Sequence, residues 1–443
     1  MNPILIVLIG VCVVVGGILA LRLHPFLSLI AGAIVVALLS PGHGLVGQRI
    51  ADGFGTTATS IGILIAMAAI LGKTLMESGA AERIVLSLRR ALGEGQIAAT
   101  YAISGFVLAA LVLSDTAFYL LIPLARVSAA RTGRNYLLYV LAIVAGSVMS
   151  HSLVPPAAGP AMVADALHVK FSTMILGGCI VGSIATTFGF AYAIWANRRW
   201  QVPLRSAVGV SATELERIAN RDESTLPPLW LALLPIALPV LLIGLGDTIQ
   251  KNAVIKTLGE KNLALTLAAA VGLLMMWRRR EGITRAQFSA SIGQALASAG
   301  VMVLIISAGG AFGHVVAQTG ISDLMRSKLP ASKLAILPIA FLITSSVRTA
   351  QGSAIVSMVT AISVVGPVAA AGALGFHPVY LALAIGCGSK PIPWMNDAGF
   401  WIIGQMSGMT EGETLKSVSV MMTIMGVVGL GATVLGAWWL PGN

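Results

Sequence analysis

The chain has 443 residues, of which 57% are hydrophobic and only 10% charged, and its mean hydropathy is +0.90. A soluble domain carries about 25% charged residues and covers itself with them, so the composition describes an integral membrane protein and excludes soluble enzymes, disulfide-stapled secreted domains, coiled coils and disordered chains. The net charge of +11 is scattered thinly between apolar runs and not gathered on a polar face, so no nucleic-acid partner is expected.

Crossing about 30 Å of hydrocarbon takes about 20 apolar residues. In chain order, ten crossings are expected, at 3–21, 24–40, 59–77, 136–167, 172–197, 227–245, 262–277, 297–318, 378–408 and 417–439. The first has no positive leader and no cleavage site before Arg22, so it reads as a retained span and not as a signal peptide. Between the third and fourth, residues 80–92 form an amphipathic stretch with Arg83, Arg89 and Arg90 on its wet side, expected to lie along the membrane surface as a connecting arm.

Two further apolar stretches carry polar interruptions. Residues from about 96 to 130 contain Ser114, Asp115 and Thr116, and residues 334–371 contain Ser345, Ser346, Val347, Arg348 and Thr349. Each is expected to be a re-entrant helical hairpin with its tip at the polar residues, because irregular backbone survives at membrane depth only where protein or water covers it. A pair of ordinary spans with a polar defect is the alternative. With both hairpins re-entrant, 18 of the 28 basic residues collect on one face, which the positive-inside rule makes cytoplasmic, with both termini outside.

The chain also repeats itself. Gly72 and Gly79 recur as Gly313 and Gly320, and Ala158 and Gly159 recur as Ala398 and Gly399, at nearly constant shift. Two halves are expected, 1–197 and 227–443, joined by a cytoplasmic linker at 198–226. Five crossings per half is an odd number, so the second half is expected upside down relative to the first. The fold class is therefore an all-α polytopic membrane protein of inverted five-span repeats, ten spans and two hairpins, an architecture of secondary transporters whose broken helices meet at mid-membrane.

Several motifs are accidental. Gly72, Lys73 and Thr74 imitate the end of a phosphate-binding loop, but Met67 stands where its first glycine belongs, so no nucleotide is expected to drive the protein. Lys73 and Glu77 read as an exposed helix pair. Cys12, Cys179 and Cys387 are isolated in apolar sequence and have no metal-ligand spacing, so no metal or cofactor is expected.

The membrane-embedded polar groups carry the chemistry. A carboxyl such as Asp115 costs about 3 kcal/mol or more in a span unless compensated, and it can carry one proton per cycle; a helix-capping Asp is the bland alternative. Arg348 presents a rigid fork of donors that matches a carboxylate, which points to an anionic substrate, with snorkelling to the surface as the alternative. The run Ser150, His151, Ser152, Leu153, Val154, Pro155, Pro156 breaks one crossing, and Gly388 to Asp397, with Lys390, Pro391 and Pro393, breaks its counterpart. Broken helices free carbonyls and expose half-helix ends to a ligand. His151 is a proton-relay candidate, equally read as bonding a neighbouring carbonyl. Lys390 and Asp397 read as partners that neutralise each other, with Asp397 a second candidate for proton coupling. Asn396 offers both a donor and an acceptor to substrate hydroxyls. Ser114, Thr116, Ser152, Thr349, Gln351 and Ser353 complete the candidate substrate contacts. Trp394, Trp438 and Trp439 read as packing or interfacial anchors.

The segments HPFLSLIAG, GFGTTATSIG, GKTLMESGAAERI, SHSLVPPAAGP, SSVRTAQGSA and MNDAGFW, in order from His24 to Trp401, resemble the gluconate/proton symporter (gluconate permease) family. The tip SDTAFYLLIP followed by a proline-broken span also resembles the wider ion transporter superfamily that includes divalent anion/sodium symporters. The resemblance implies proton-coupled uptake of gluconate or a related sugar acid across the bacterial cytoplasmic membrane. It also implies scaffold and transport domains, elevator motion and a dimer, with Asp115, His151, Arg348, Thr349, Asn396 and Asp397 around substrate and proton. Ala157 replaces a family His, Ala398 replaces a Ser, and Lys390 and Pro391 depart from the common pattern. These changes bear on substrate choice, so a shorter hydroxy acid or an amino acid such as serine stays beside gluconate. Sodium coupling is the alternative drive, and an intramembrane enzyme built on His151 and Asp115 is disfavoured because no nucleophile or metal set accompanies them.

Overall fold

The computed structural model describes all residues except 1, 41–43, 112, 206–224, 250–251, 279–283, 321–332, 371–373 and 443. The centre of the expected linker lies outside the described residues, as do Arg217, Arg221, Lys251, Arg279, Arg280, Arg326 and Lys328 of the charge count and the last residue of the second expected hairpin.

Helices are the regular secondary structure of the described residues, with no strand among them. In order, the helices are α1 (Pro3–Leu19), α2 (Pro25–Leu39), α3 (Val46–Glu77), α4 (Ala80–Leu92), α5 (Ile97–Ala109), α6 (Ser114–Thr132), α7 (Tyr136–Leu153), α8 (Ala158–Ala166) and α9 (Phe171–Arg199). There follow α10 (Leu229–Thr248), α11 (Ala253–Leu258), α12 (Lys261–Trp277), α13 (Arg285–Ala317), α14 (Ile336–Gln351), α15 (Ala354–Ala370), α16 (Val379–Gly388) and α17 (Ala398–Ser407). Finally α18 (Glu411–Thr414) runs through a wide turn at Leu415–Ser419 into α19 (Val420–Trp439).

Six helical stretches among the described residues are long and apolar enough to cross a bilayer: α3, the broken pair α7–α8, α9, α10, α13 and α18–α19. The remaining apolar helices are shorter; α5, with 13 residues, covers only about 20 Å. Local chemistry sets the ends. Proline occupies the first turn of α1 and α2, where its missing N–H costs nothing, behind the capping side chains of Asn2 and His24. Thr284 and Gln287 form a reciprocal capping box at α13. The third expected crossing is longer than its apolar run, since α3 begins at Val46 and carries the polar residues Gln48, Arg49 and Asp52 inside the helix.

Two groups of helices pack around different cores. In the first, α3 and α13 lie against each other, with α2 on α13 and α12 on α3. Small residues permit the approach: a Cβ at Gly310 would fall 1.9 Å from Thr57 Oγ1, and one at Gly272 2.3 Å from Thr74 Oγ1. Apolar burial gives little drive between helices in lipid, so close contact of small residues carries the association. In the second group α7 packs on α5 and α9, α16 packs on α14 and α19, and α9 meets α19. The pairings α1–α2, α2–α13, α5–α7 and α7–α9 thus recur as α10–α12, α12–α3, α14–α16 and α16–α19. Gly79 and Gly320 share a left-handed φ of 77° and 78°, and Ala158 and Ala398 each open the helix after a break.

Both expected hairpin tips move. In the first, Ser114, Asp115 and Thr116 are the opening turn of α6, and the interruption is the apolar segment after Ala109; an acidic residue is stabilised in a first turn by the helix dipole. In the second, α14 continues through Ser345 to Thr349, and the chain breaks only at Gly352, whose φ is 87°. Polar side chains do not end a helix; a left-handed glycine after the last turn does.

The stretch 80–92 is helical, as α4, but Arg83 is not simply wet: it donates to the carbonyl oxygens of Pro227 at 2.8 Å and Leu226 at 3.3 Å. The Lys73–Glu77 pair forms at 3.1 Å, and is more than an exposed pair, because Lys73 also donates to Gln294 and Glu77 accepts from Ser291, tying α3 to α13.

Candidate functional site

The two proline-bearing breaks meet. Ser152, at the end of α7, and Ser389, just past α16, approach with their Oγ atoms 3.2 Å apart. Gly386 allows it, since a Cβ there would stand 2.6 Å from the Ser152 carbonyl oxygen. Between Pro391 and Pro393 the β-branched Ile392 is held at φ 52°, a conformation costing about 1–3 kcal/mol, and its N–H donates to Thr423 at 3.0 Å. The second break is thereby a fixed, non-helical strap.

Arg348 sits on the last turn of α14 and points into this strap. It is 5% exposed, which rules out snorkelling. Its Nε donates to the Ser389 carbonyl at 3.1 Å, and its Nη2 to Asp397 Oδ2. Asp397 is also the N-cap of α17, accepting the Gly399 N–H on Oδ1 at 2.8 Å. The expected Lys390–Asp397 neutralisation is therefore corrected: Arg348 takes the carboxylate, and among the described residues no carboxylate lies within ion-pair distance of Lys390. Lys390 is 3% exposed and within electrostatic reach of Arg348, Asp397 and Asp115.

Asp115 comes from the first hairpin to the same place. It stands beside Ser114 and within electrostatic reach of Asp397, Arg348 and Lys390, and its Oδ1 lies 3.5 Å from where a Cβ of Gly399 would be. Two carboxylates and two cations, drawn from α6, α14 and the second break, thus form one cluster whose fully ionised charge is zero.

The tip of the second hairpin is fastened over the cluster. Thr349 supplies a carbonyl that accepts from Asn396 Nδ2 at 2.8 Å and from Trp394 Nε1 at 2.6 Å, so Trp394 does more than anchor or pack. Gln351 donates to the Ser353 carbonyl at 2.8 Å. Two buried polar atoms here lack a partner, the Arg348 Nη1 donor and the Asn396 Oδ1 acceptor. An unsatisfied buried group costs about 1–3 kcal/mol, which a ligand offering a carboxylate oxygen and a hydroxyl would recover.

Thr116 and His151 line a cavity of about 350 Å³ beside the first hairpin, with Lys73, Gln294 and Ser298 on the facing wall of α3 and α13. The sequence-derived residues thus divide. Arg348, Thr349, Asn396, Asp397, Asp115, Ser114, Lys390, Gln351 and Ser353 gather at the strap, Ser152 bridges the two breaks, and Thr116 and His151 face the cavity. Ser389, which bonds Arg348 through its carbonyl and Ser152 through its hydroxyl, was visible only as part of the second break.

Gly352 has little room to change. A Cβ there would stand 2.2 Å from the Asn396 carbonyl oxygen, and a side chain in the left-handed region costs about 1–2 kcal/mol besides. Gly352→Ala is expected to lower uptake by about tenfold or more, since about 1.4 kcal/mol is one decade, as measured by vesicle uptake normalised to protein in the membrane. Uptake within a factor of two of the parent would contradict the placement of this tip.

Residues 2–438 match the GntP family permease profile. The chain is 30% identical to a gluconate permease of Pseudomonas aeruginosa over 441 residues, covering 96% of this chain and 95% of the other. It is also 30% identical to the low-affinity gluconate transporter of Escherichia coli K12, covering 92% of each. Its fold is similar to the crystal structure of the Alcanivorax borkumensis YdaH transporter, with a TM-score of 0.59 at 15% identity, over 94% of this chain and 97% of that one. A family profile spanning nearly every residue, six membrane-length helical stretches among the described residues and a buried charged site between broken helices leave one assignment: the chain belongs to the GntP permease family and is a membrane transporter, not an enzyme.

Proposed function

We propose that the protein is a proton-coupled symporter for gluconate or a closely related small hydroxylated monocarboxylate in the bacterial cytoplasmic membrane. The observation that carries this reading is the neutral cluster with its spare Arg348 Nη1 and Asn396 Oδ1; the names of the relatives point to the same substrate class. The substrate carboxylate accepts from Arg348 Nη1, and a hydroxyl donates to Asn396 Oδ1.

Charge balance then couples proton to substrate. The empty cluster of Arg348, Lys390, Asp115 and Asp397 sums to zero. A carboxylate alone makes it −1, a proton on Asp115 alone makes it +1, and both together return it to zero. A net charge carried through the membrane interior costs about 3 kcal/mol or more, a penalty of about a hundredfold or more in population. The empty and the doubly loaded forms move, and the singly loaded forms do not. At one proton per monoanion the cargo is neutral, so accumulation follows the pH gradient, about tenfold per unit, and not the membrane potential.

The movement we propose is an elevator motion of a transport domain, built from α5–α9 and α14–α19, against a scaffold of α1–α3 and α10–α13, with α4 as a connecting arm. Recurrent pairing of corresponding helices and the matched left-handed Gly79 and Gly320 support two inverted repeats, 1–197 and 227–443, with re-entrant hairpins at α5–α6 and α14–α15 and a cytoplasmic linker between. The basic-residue imbalance supports periplasmic termini. In this orientation the cavity holding Thr116 and His151 opens toward the cytoplasm. The family resemblance is the support for a homodimer.

The test is uptake of labelled gluconate into proteoliposomes. An inward pH gradient is expected to drive accumulation, with the potential clamped at zero and with choline in place of sodium. Accumulation that requires sodium, or that is indifferent to the pH gradient, would overturn the coupling.

A further inference from the structure

The opposite ends of α3 and α13 enclose a second cavity of about 340 Å³ against α8 and α15, walled by Thr56, Thr57, His168, His314, Ser363 and Asp165 among others. It shares no residue with the cavity at the first hairpin and none with the charge cluster. Behind it lies a buried cation. Arg49, 5% exposed, donates Nη1 to the Ala37 carbonyl at 2.8 Å, Nη2 to Ser40 Oγ at 2.5 Å and Nε to Gln318 Oε1 at 2.6 Å, and no ion pair of Arg49 is found among the described residues.

That third bond fixes the next. With its oxygen held by a permanently charged guanidinium, the Gln318 amide presents its NH₂ to His314 Nε2 at 2.9 Å. Nε2 must accept, so the ring proton stands on Nδ1. His314, one of the residues of the cavity wall, therefore carries its N–H donor on Nδ1 and is backed through Gln318 by the charge of Arg49, an arrangement that attracts an anion. The carboxylate of Asp165 does not oppose it, because Ser60 donates to one oxygen at 2.5 Å and Lys261 pairs with the other. On an otherwise largely apolar wall, three side-chain oxygens suit substrate hydroxyls. Thr56, Thr57 and Ser363 spend their protons on the carbonyls of Asp52, Gly53 and Gly309 at 2.8, 3.0 and 2.8 Å, which leaves their oxygens as acceptors.

We infer that this cavity is a second binding site for the transported hydroxylated carboxylate, at the outer end of the scaffold, where the anion is held beside His314 before it passes to Arg348. The inference rests on the substrate class proposed above. Its volume falls in the range of small-molecule sites, about 300–1,000 Å³.

Equilibrium binding of labelled D-gluconate to the purified full-length protein tests it. Two sites per chain are expected, falling to one in His314→Phe and to one in Arg348→Ala. Gln318→Glu keeps the shape of the residue but cancels the charge of Arg49, and is expected to weaken the second site by about tenfold with the chain folded. In proteoliposomes of one orientation, His314→Phe is expected to raise the KM for external substrate several-fold and leave the KM from the inner side unchanged. One site in the parent protein, or two in both His314→Phe and Gln318→Glu at parental affinity, overturns the second site while leaving transport through Arg348 intact. No binding of gluconate or of any other hydroxy acid overturns both readings.

Discussion

Arg348→Ala is expected to abolish measurable binding of every carboxylate at the central site, a loss of about a hundredfold or more in affinity. Truncating one partner of a buried hydrogen-bonded charge pair costs about 2–5 kcal/mol, and here the same side chain supplies the Nη1 donor proposed for the substrate. The substitution also strands Asp397 without its partner, and breaking a buried pair destabilises a protein by about 3–5 kcal/mol. Arg348→Lys separates the two effects. It keeps the positive charge facing Asp397 but loses the planar fork that reaches the Ser389 carbonyl, Asp397 and a third acceptor at once. The lysine variant is therefore expected to fold, to bind about tenfold or more weakly, and to keep its dependence on the pH gradient. Binding measured in detergent beside thermal stability decides this; parental affinity in Arg348→Lys would remove the guanidinium from recognition.

Asp115→Asn is expected to split transport into its parts. A neutral side chain fixes the cluster at +1 when empty and at zero with an anion bound, so the loaded carrier still crosses and the empty one does not. Exchange of internal for external substrate should persist near the parental rate, while net uptake driven by a pH gradient should fall by about a hundredfold, the same penalty of about 3 kcal/mol or more for a charged carrier. Counterflow and net flux in the same proteoliposomes distinguish the cases. Loss of exchange together with net uptake would make Asp115 a substrate contact and not the coupling group.

Much of this arrangement is legible in the sequence because proline and charge are rare in a span and conspicuous when present. The breaks at Pro155–Pro156 and at Pro391–Pro393 stand where proline makes them inevitable: α7 ends at Leu153 and α16 at Gly388. Polarity alone misplaces the hairpin tips by a few residues, because a polar residue does not interrupt a helix. Arg348 and Thr349 are polar so that they can face the strap, and the helix carries them without a break until Gly352. The partner of Asp397 was not legible at all. Lys390 is 7 residues away and Arg348 is 49 away, and only packing of α14 on α16 decides between them. The same holds for the contact between Arg49 and Gln318, 269 residues apart. His314 lies within a segment recognised only for its repeated glycines, and no local pattern marks its place on a cavity wall.

The central claim is that a proton joins the cluster whenever a carboxylate does. Calorimetry of gluconate binding in buffers of different ionisation enthalpy counts that proton directly. At a pH where the empty cluster is fully ionised, about one proton is expected to be taken up for each anion bound at the central site by the parent protein, and none by Asp115→Asn. Binding at this site without proton uptake by the parent protein would contradict the account.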